Sequence, residues 1–428
     1  TVALAYGFAA YKYLPSIKFI LALLVFDIFT PIIISVIVLS FQPFFVMMRA
    51  RILKKAAAKV ASYKNLKVIG ITGSYGKTAT KEFLTTILSS KFNLLSTPEH
   101  KNSEIGIAQT ILQDLKPEHN VFVVEMGSYN KGGIKLLCDM VKPRLGMVTG
   151  VNQQHLATFG SMENLLSAEG GIELVKALPK NGTIIVNGDN QYCVDLYKKV
   201  YQLAGGLEKK IYAIKKHKLQ TDIWTEDVVV LEDRISFIAR SAGGELAHFD
   251  VNVLGRQQVQ NLLGSILAAK EFGMTFGEIA EACKNIKPEQ AGMTVKIGAH
   301  GINVIDSSYS SNPDGVLADL DYLSVFKGRK VIVMPCLIEL GNMSAKILLV
   351  EDDSNLREIY GARLEAEGYQ IVAASDGEEA LATAVKELPD LKPLQSFPVW
   401  KRAAVASAGV LFNIIFAYFT CLVMVATI

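Results

Sequence analysis

A chain of 428 residues has room for two to four domains. Half of its residues are hydrophobic, the mean hydropathy is +0.29 and the net charge is only +3, a balance that argues against a nucleic-acid partner and implies apolar segments that raise the average. The five cysteines (Cys138, Cys193, Cys283, Cys336 and Cys421) are scattered and form no C-x-x-C pair, so they read as reduced thiols with neither a disulfide framework nor a zinc site.

Residues 19–41 are a nearly unbroken apolar run, long enough to cross a bilayer core and interrupted by Asp27 and Pro31. Arg49, Arg51, Lys54, Lys55, Lys59, Lys64 and Lys67 follow, and such a cluster stays on the cytoplasmic side. Basic residues after the apolar run, rather than before it, disfavour a signal peptide. Residues 1–65 are therefore expected to anchor the chain in the cell membrane, with the following domain facing the cytoplasm. Because Thr1 lies inside an apolar stretch, the natural N-terminus is expected upstream.

The next stretch is Val68-Ile69-Gly70-Ile71-Thr72-Gly73-Ser74-Tyr75-Gly76-Lys77-Thr78. An apolar strand (66–71) enters a two-glycine turn, and residues 79–89 have helical spacing of Phe83, Leu84, Ile87 and Leu88. This is the layout of a phosphate cradle. Glycines let backbone N–H groups approach phosphate oxygens, the helix N-terminus favours an anion, Lys77 adds a point charge and the Thr78 hydroxyl suits Mg²⁺. Ile71 stands where the strict pattern has glycine, so the loop is a shorter variant. Gly73, Ser74, Gly76, Lys77 and Thr78 are the candidate nucleotide-binding residues.

Strands are predicted at 121–125, 146–149 and 182–187, alternating with helices, and further strands at 211–214, 227–231 and 234–239. The pattern predicts an α/β domain over 66–250 with a mostly parallel sheet, whose ligands bind beyond the carboxyl ends of the strands. Glu125 sits at such an end, and His155 lies a few residues past Thr149.

The variant loop resembles that of the Mur ligases, which join amino acids or peptides to nucleotide-linked muramic acid. Thr97-Pro-Glu-His-Lys-Asn-Ser-Glu-Ile-Gly106 resembles the substrate loop of the family member that adds D-alanyl-D-alanine, with Asn102 and Ser103 as substrate-binding candidates. Glu125-Met-Gly and His155-Leu-Ala-Thr-Phe-Gly-Ser resemble two further family segments. The resemblance implies that Thr78, Glu125 and His155 hold magnesium around ATP and that Lys77, Glu125 and His155 are catalytic. One departure stands out: the family's carbamylated lysine has no counterpart in Ala168-Glu-Gly-Gly-Ile-Glu173-Leu174, where Glu169 is the alternative acid.

Leu254-Gly-Arg-Gln-Gln-Val-Gln-Asn261 opens a helix to about Phe272 and resembles the family's adenine-contacting helix, with Gln257 where histidine is usual and Asn261 retained. Val304-Ile-Asp306-Ser-Ser-Tyr309-Ser-Ser-Asn312-Pro313 resembles a third-domain segment, which implies nucleotide-side roles for Asp306 and Asn312. A strand is predicted at 330–334. The likeness stops near Ser344, so 251–344 is expected to be a truncated third α/β domain. Residues 346–391 resemble the opening of a response-regulator receiver, with Glu351 and Asp352 as its acid pair but without the acceptor-aspartate strand. Residues 392–428, with Trp400, Lys401 and Arg402 before an apolar run, resemble a fragment of site-2-type membrane metalloproteases and read as a second transmembrane helix; no H-E-x-x-H motif is present.

The resemblance implies an ATP- and Mg²⁺-dependent amide ligase of peptidoglycan precursor synthesis. It would join D-alanyl-D-alanine or a similar amine to a UDP-muramyl-peptide through an acyl phosphate. Three partial likenesses abut without linkers, which predicts a composite of gene fragments. The alternatives are a catalytically incomplete ATP-binding membrane protein and a receiver-containing signalling protein.

Overall fold

The computed structural model describes residues 16–153, 155–215, 221–297, 303–307, 313–326, 330, 346–350 and 370–374. The expectations for residues 1–14, Tyr309, Asn312, the strand at 330–334 beyond its first residue, Glu351, Asp352 and the apolar segment 403–428 fall outside them. The chain divides into two compact units, one formed by residues 1–52 and 395–428 and the other by residues 53–394.

In the first unit the described part is most of α1 (Ser16–Ser62), a 47-residue helix. Phe29, Ile34, Val36, Ile37, Val38, Leu39, Phe41, Phe44, Phe45 and Val46 are all exposed. Neighbouring positions on every side of a 3.6-residue helix are thus apolar and uncovered. Residues Ile34–Ser62 are long and apolar enough to cross a membrane by length and composition.

The second unit takes up the end of α1, where Ala56 and Val60 are buried and Lys59 Nζ donates to the Leu112 carbonyl at 3.0 Å. A nine-stranded sheet follows, in the spatial order β2-β3-β1-β4-β5-β6-β7-β8-β9. Its strands are β1 (Lys67–Thr72), β2 (Leu94–Ser96), β3 (Val121–Glu125), β4 (Leu145–Val148), β5 (Thr183–Asn187), β6 (Glu208–Ala213), β7 (Ile223–Val230), β8 (Ile235–Ser241) and β9 (Leu246–Val251). Pairing is parallel from β2 to β7 and antiparallel among β7, β8 and β9. Burial explains the split. β3 is buried at every position, as a strand covered on both faces must be, whereas β8 alternates buried and half-buried residues.

Helix α2 (Lys77–Ser89) follows β1 and buries Phe83, Leu84, Ile87 and Leu88 against the sheet. Its core continues into α9 (Gln258–Glu271) and α10 (Phe276–Cys283) through Val259, Leu262, Leu263, Ile266 and Ile279. α10 starts on a capping box, with Thr275 and Glu278 bonding each other's backbone. The other helices of the domain are α3 (Glu104–Asp114), α4 (Gly133–Val141), the short α5 (Leu156–Phe159), α6 (Met162–Ser167) and α7 (Ile172–Ala177), and α8 (Gln191–Leu203).

Beyond α10, β10 (Thr294–Ile297) and β11 (Asn303–Asp306) pair antiparallel, followed by α11 (Pro313–Leu323). Leu254, Met293 and Tyr322 make a small core of their own, and the Tyr322 hydroxyl donates to the Glu232 carbonyl at 2.7 Å. β12 (Lys346–Val350) and β13 (Gln370–Ala374) form a parallel pair, Lys346 opposite Gln370.

Candidate active site

The register β3-β1-β4 sets Ile71 beside Glu125 and Thr72 beside Val148, so three parallel strands end together. The loop 73–76 leaves β1 at this edge. Gly73 and Gly76 have φ of 139° and 76°, in the left-handed region that favours glycine. Space forbids a side chain as well: a Cβ at Gly73 would lie 2.3 Å from Thr149 Oγ1, and one at Gly76 would lie 2.5 Å from Asn261 Oδ1. Ser74 N–H donates to the Gly150 carbonyl at 2.7 Å, and Thr149 Oγ1 donates to the Tyr75 carbonyl at 2.5 Å. No side chain caps α2, and its N-terminal N–H groups and dipole make this loop a place suited to an anion. Lys77 Nζ folds back onto the Gly73 and Ser74 carbonyls, at 2.5 and 3.2 Å.

Glu125 collects the residues that the sequence had set apart. Its Oε1 accepts from Thr78 Oγ1 and from Asn102 Nδ2, both at 3.1 Å, while Thr97 Oγ1 accepts from its backbone N–H at 3.0 Å. Asn102 is thereby brought from the 97–106 loop to the end of β3. Ser103 is engaged differently: its hydroxyl caps α3 by accepting from Gly106 N–H at 3.3 Å. Thr78 and Glu125 present two hard oxygen donors side by side, a set suited to Mg²⁺. Among the described residues, no three His, Cys, Asp or Glu side chains converge as a metal-ligand group.

His155 turns its Nδ1 toward Glu169, 3.0 Å from Oε1. Glu169 is buried, accepts from the Ser74 hydroxyl at 2.9 Å and lies 3.9 Å from Lys77 Nζ. Glu173 has a different task. It accepts from Gly132 and Lys135 N–H at 2.7 and 2.9 Å, capping α4 in place of a side chain on that helix.

The loop opens into a cleft of about 940 Å³ whose wall includes Lys77, Thr78, Gln257, Asn261, Asp306 and Asp319. Asn261 Oδ1 accepts from Thr80 Oγ1 at 3.3 Å and its amide donates to Gln258 at 2.9 Å, so it locks α9 onto the start of α2 as well as lining the cleft. Asp306 is ion-paired with Lys296 across the β10–β11 ladder at 3.0 Å.

Two features escaped the sequence reading. Lys81 is fully buried and reaches Glu125, although a lone lysine on an amphipathic helix reads as a solvated residue. Tyr75 packs its ring on Gly150 and accepts from Asn190 Nδ2 at 3.2 Å, a contact between residues 115 apart in the chain.

Fold and site define a phosphate-loop α/β domain with an acidic strand end beside the loop. Residues 71–269 match the Mur ligase middle domain. The chain is 29% identical over 279 residues to the UDP-N-acetylmuramoyl-tripeptide--D-alanyl-D-alanine ligase of Mycobacterium leprae, covering 64% of this chain and 53% of that one. Against the Escherichia coli protein of the same name it is 28% identical over 289 residues, covering 67% and 61%. The chain thus spans about half to three-fifths of the length of these curated relatives. Its fold is similar to that of MurF from Acinetobacter baumannii (TM-score 0.64, 22% identity, 79% of this chain and 74% of that one). It is also similar to the MurF ligase from Thermotoga maritima in complex with ADP (TM-score 0.58, 21% identity, 80% and 78%). The likeness thus centres on residues 71–269, which contain the phosphate loop, Glu125 and His155.

Proposed function

We propose that this chain is an ATP-dependent carbon–nitrogen ligase that joins D-alanyl-D-alanine or a similar amine to a UDP-muramyl-peptide. The observation that carries the reading is the meeting of Thr78, Asn102 and Glu125 at the mouth of the phosphate loop. It joins the loop expected to bind nucleotide to the loop expected to bind substrate. The curated relatives bear the name of that ligase.

In this reading the loop N–H groups and the α2 N-terminus hold the ATP phosphates. Lys77 exchanges its carbonyl partners for phosphate oxygens, offsetting charge on the transferring group. Thr78 and Glu125 would hold Mg²⁺, which supplies Lewis-acid neutralisation of phosphate charge when bound. Asn102 orients the muramyl-peptide so that its carboxylate attacks the γ-phosphoryl group in line. ADP leaves as the acyl phosphate forms, and the amine then attacks the acyl carbon, expelling phosphate and releasing a proton.

Two finer readings belong to the same proposal. The uncovered apolar stretch of α1, followed by Arg49, Arg51, Lys54 and Lys55, supports a bilayer anchor with the ligase domain on the cytoplasmic side. The second reading is ATP binding without amide formation.

One assay separates them. The purified chain is given ATP, Mg²⁺ and UDP-muramyl-tripeptide, with and without D-alanyl-D-alanine, and both phosphate and the amide product are measured. Peptide-dependent phosphate release with a new amide is the expected result. ATP binding without an amide product selects the second reading, and absence of ATP binding overturns both.

A further inference from the structure

Lys81 is the most unusual charge in the described domain: its side chain is 0% exposed. A lysine is almost never fully buried unless its ammonium is paired, because an unpaired charge loses its hydration with nothing in return. Its partners come from three directions. Nζ donates to the Thr97 carbonyl at 3.0 Å, lies 2.9 Å from Glu82 Oε1 and lies 3.6 Å from Glu125 Oε2. Glu82 is itself partly open to solvent, whereas Glu125 is nearly enclosed.

The two oxygens of Glu125 are thus divided. Oε1 serves Thr78 and Asn102, and Oε2 faces Lys81. Thr78 and Lys81 stand three residues apart on α2, on one face of the helix. A carboxylate hydrogen-bonded at one edge and ion-paired at the other is restrained about its terminal bond. Through Thr97, the same ammonium also fixes the start of the 97–106 loop.

We propose that Lys81 is a positioning residue: it holds the Oε2 edge of Glu125 so that Oε1 stays aimed at Thr78, and thereby sets the Mg²⁺-dependent part of nucleotide binding. The proposal rests on the nucleotide-binding reading given above. The Lys81 ammonium is engaged by Thr97, Glu82 and Glu125, whereas Lys77 Nζ lies on the Gly73 and Ser74 carbonyls, so metal-free nucleotide binding is expected to be nearly independent of Lys81.

The test is calorimetric titration of the full chain with a non-hydrolysable ATP analogue, in Mg²⁺ and in EDTA. The unmodified chain binds more tightly in Mg²⁺. Lys81→Met loses tenfold or more of that gain, while its affinity in EDTA stays within about threefold. Lys81→Gln, which keeps a donor for the Thr97 carbonyl, gives the same loss and stands in if the Met variant lacks a cooperative thermal transition. Glu82→Gln retains the gain. The proposal is overturned if the Lys81 variants keep the gain, if they lose affinity equally in both buffers, or if Glu82→Gln loses the gain as fully. An unmodified chain that binds nucleotide with no Mg²⁺ gain also overturns it. A chain that binds no nucleotide in either buffer overturns the functional reading itself.

Discussion

His155 and Glu169 are held against each other at the phosphate loop, with Nδ1 at 3.0 Å from one carboxylate oxygen and 3.2 Å from the other. The second oxygen also accepts from Ser74 at 2.9 Å. Glu169 therefore ties the segment after β4 to the loop that follows β1, across 95 residues of sequence. The acid that makes this tie is itself almost fully buried.

Glu169→Ala is expected to destabilise the domain by about 2–3 kcal/mol, because it strips a buried hydroxyl and an imidazole of their shared acceptor. Glu169→Gln keeps the shape and an acceptor oxygen and is expected to cost less. Nucleotide affinity should follow the same order, since Ser74 belongs to the loop. Thermal unfolding and nucleotide titration of the two variants check this. An Ala variant that binds nucleotide as the unmodified chain does would remove Glu169 from the site's support.

Gly150 is a second such point. A Cβ there would sit 2.3 Å from the Tyr75 ring, and the Gly150 carbonyl receives Ser74 N–H. Gly150→Ala is expected to push Tyr75 out of place, cost about 1–3 kcal/mol as overpacking does, and weaken nucleotide binding. Adding Tyr75→Ala should relieve the clash and recover part of the stability. Equal stability of the single and double variants would show that the ring already moves freely.

Much of this site was legible in residue order. The strand, glycines, Lys77 and helix lie within a few residues of one another, and local chemistry decides their form: β1 ends at Thr72 and α2 starts at Lys77, close to the expected boundaries. Glu125 was readable for the same reason, since a fully apolar run ending in an acid marks a buried strand with its carboxylate at the edge. What could not be read is which distant side chains meet. The contacts of Lys81 with Glu125, Ser74 with Glu169 and Tyr75 with Asn190 depend on strand order, and no sequence period encodes that order. The edge strands show a smaller limit. β7 begins at Ile223, earlier than expected, and its pairing with β8 shifts register between Glu226 and Val229, with Asp227 at φ 52°.

The Tyr212 hydroxyl is buried without a hydrogen-bond partner among the described residues, and burial pushes its pKa well above the usual tyrosine range. The ring itself fills the core between β6 and α9, close to Gly264. Removing only the oxygen keeps this packing and relieves the desolvation penalty. Tyr212→Phe is therefore expected to stabilise the domain by about 1–2 kcal/mol. A higher midpoint of unfolding confirms this, and a lower one would mean that the hydroxyl has a stabilising role.

Asp319, on α11 at the wall of the cleft, has its carboxyl pushed from the ordinary 3.8 to about 6 by burial, against a lowering hydrogen bond from Ser307. A folded pKa above the unfolded one means that the folded state holds the proton over that window. The resulting stability is fully present below pH 3.8 and is lost as pH rises through about 6. Part of the side chain remains open to solvent, so the contribution is expected to be about 1–2 kcal/mol after screening. Asp319→Asn, neutral at every pH, should lack this component. The difference in unfolding free energy between the two chains, followed from pH 4 to pH 7 by denaturant titration, is therefore expected to slope in favour of Asn as pH rises, roughly by that amount. Parallel stability curves would show that Asp319 is as well solvated in the folded state as in the unfolded one.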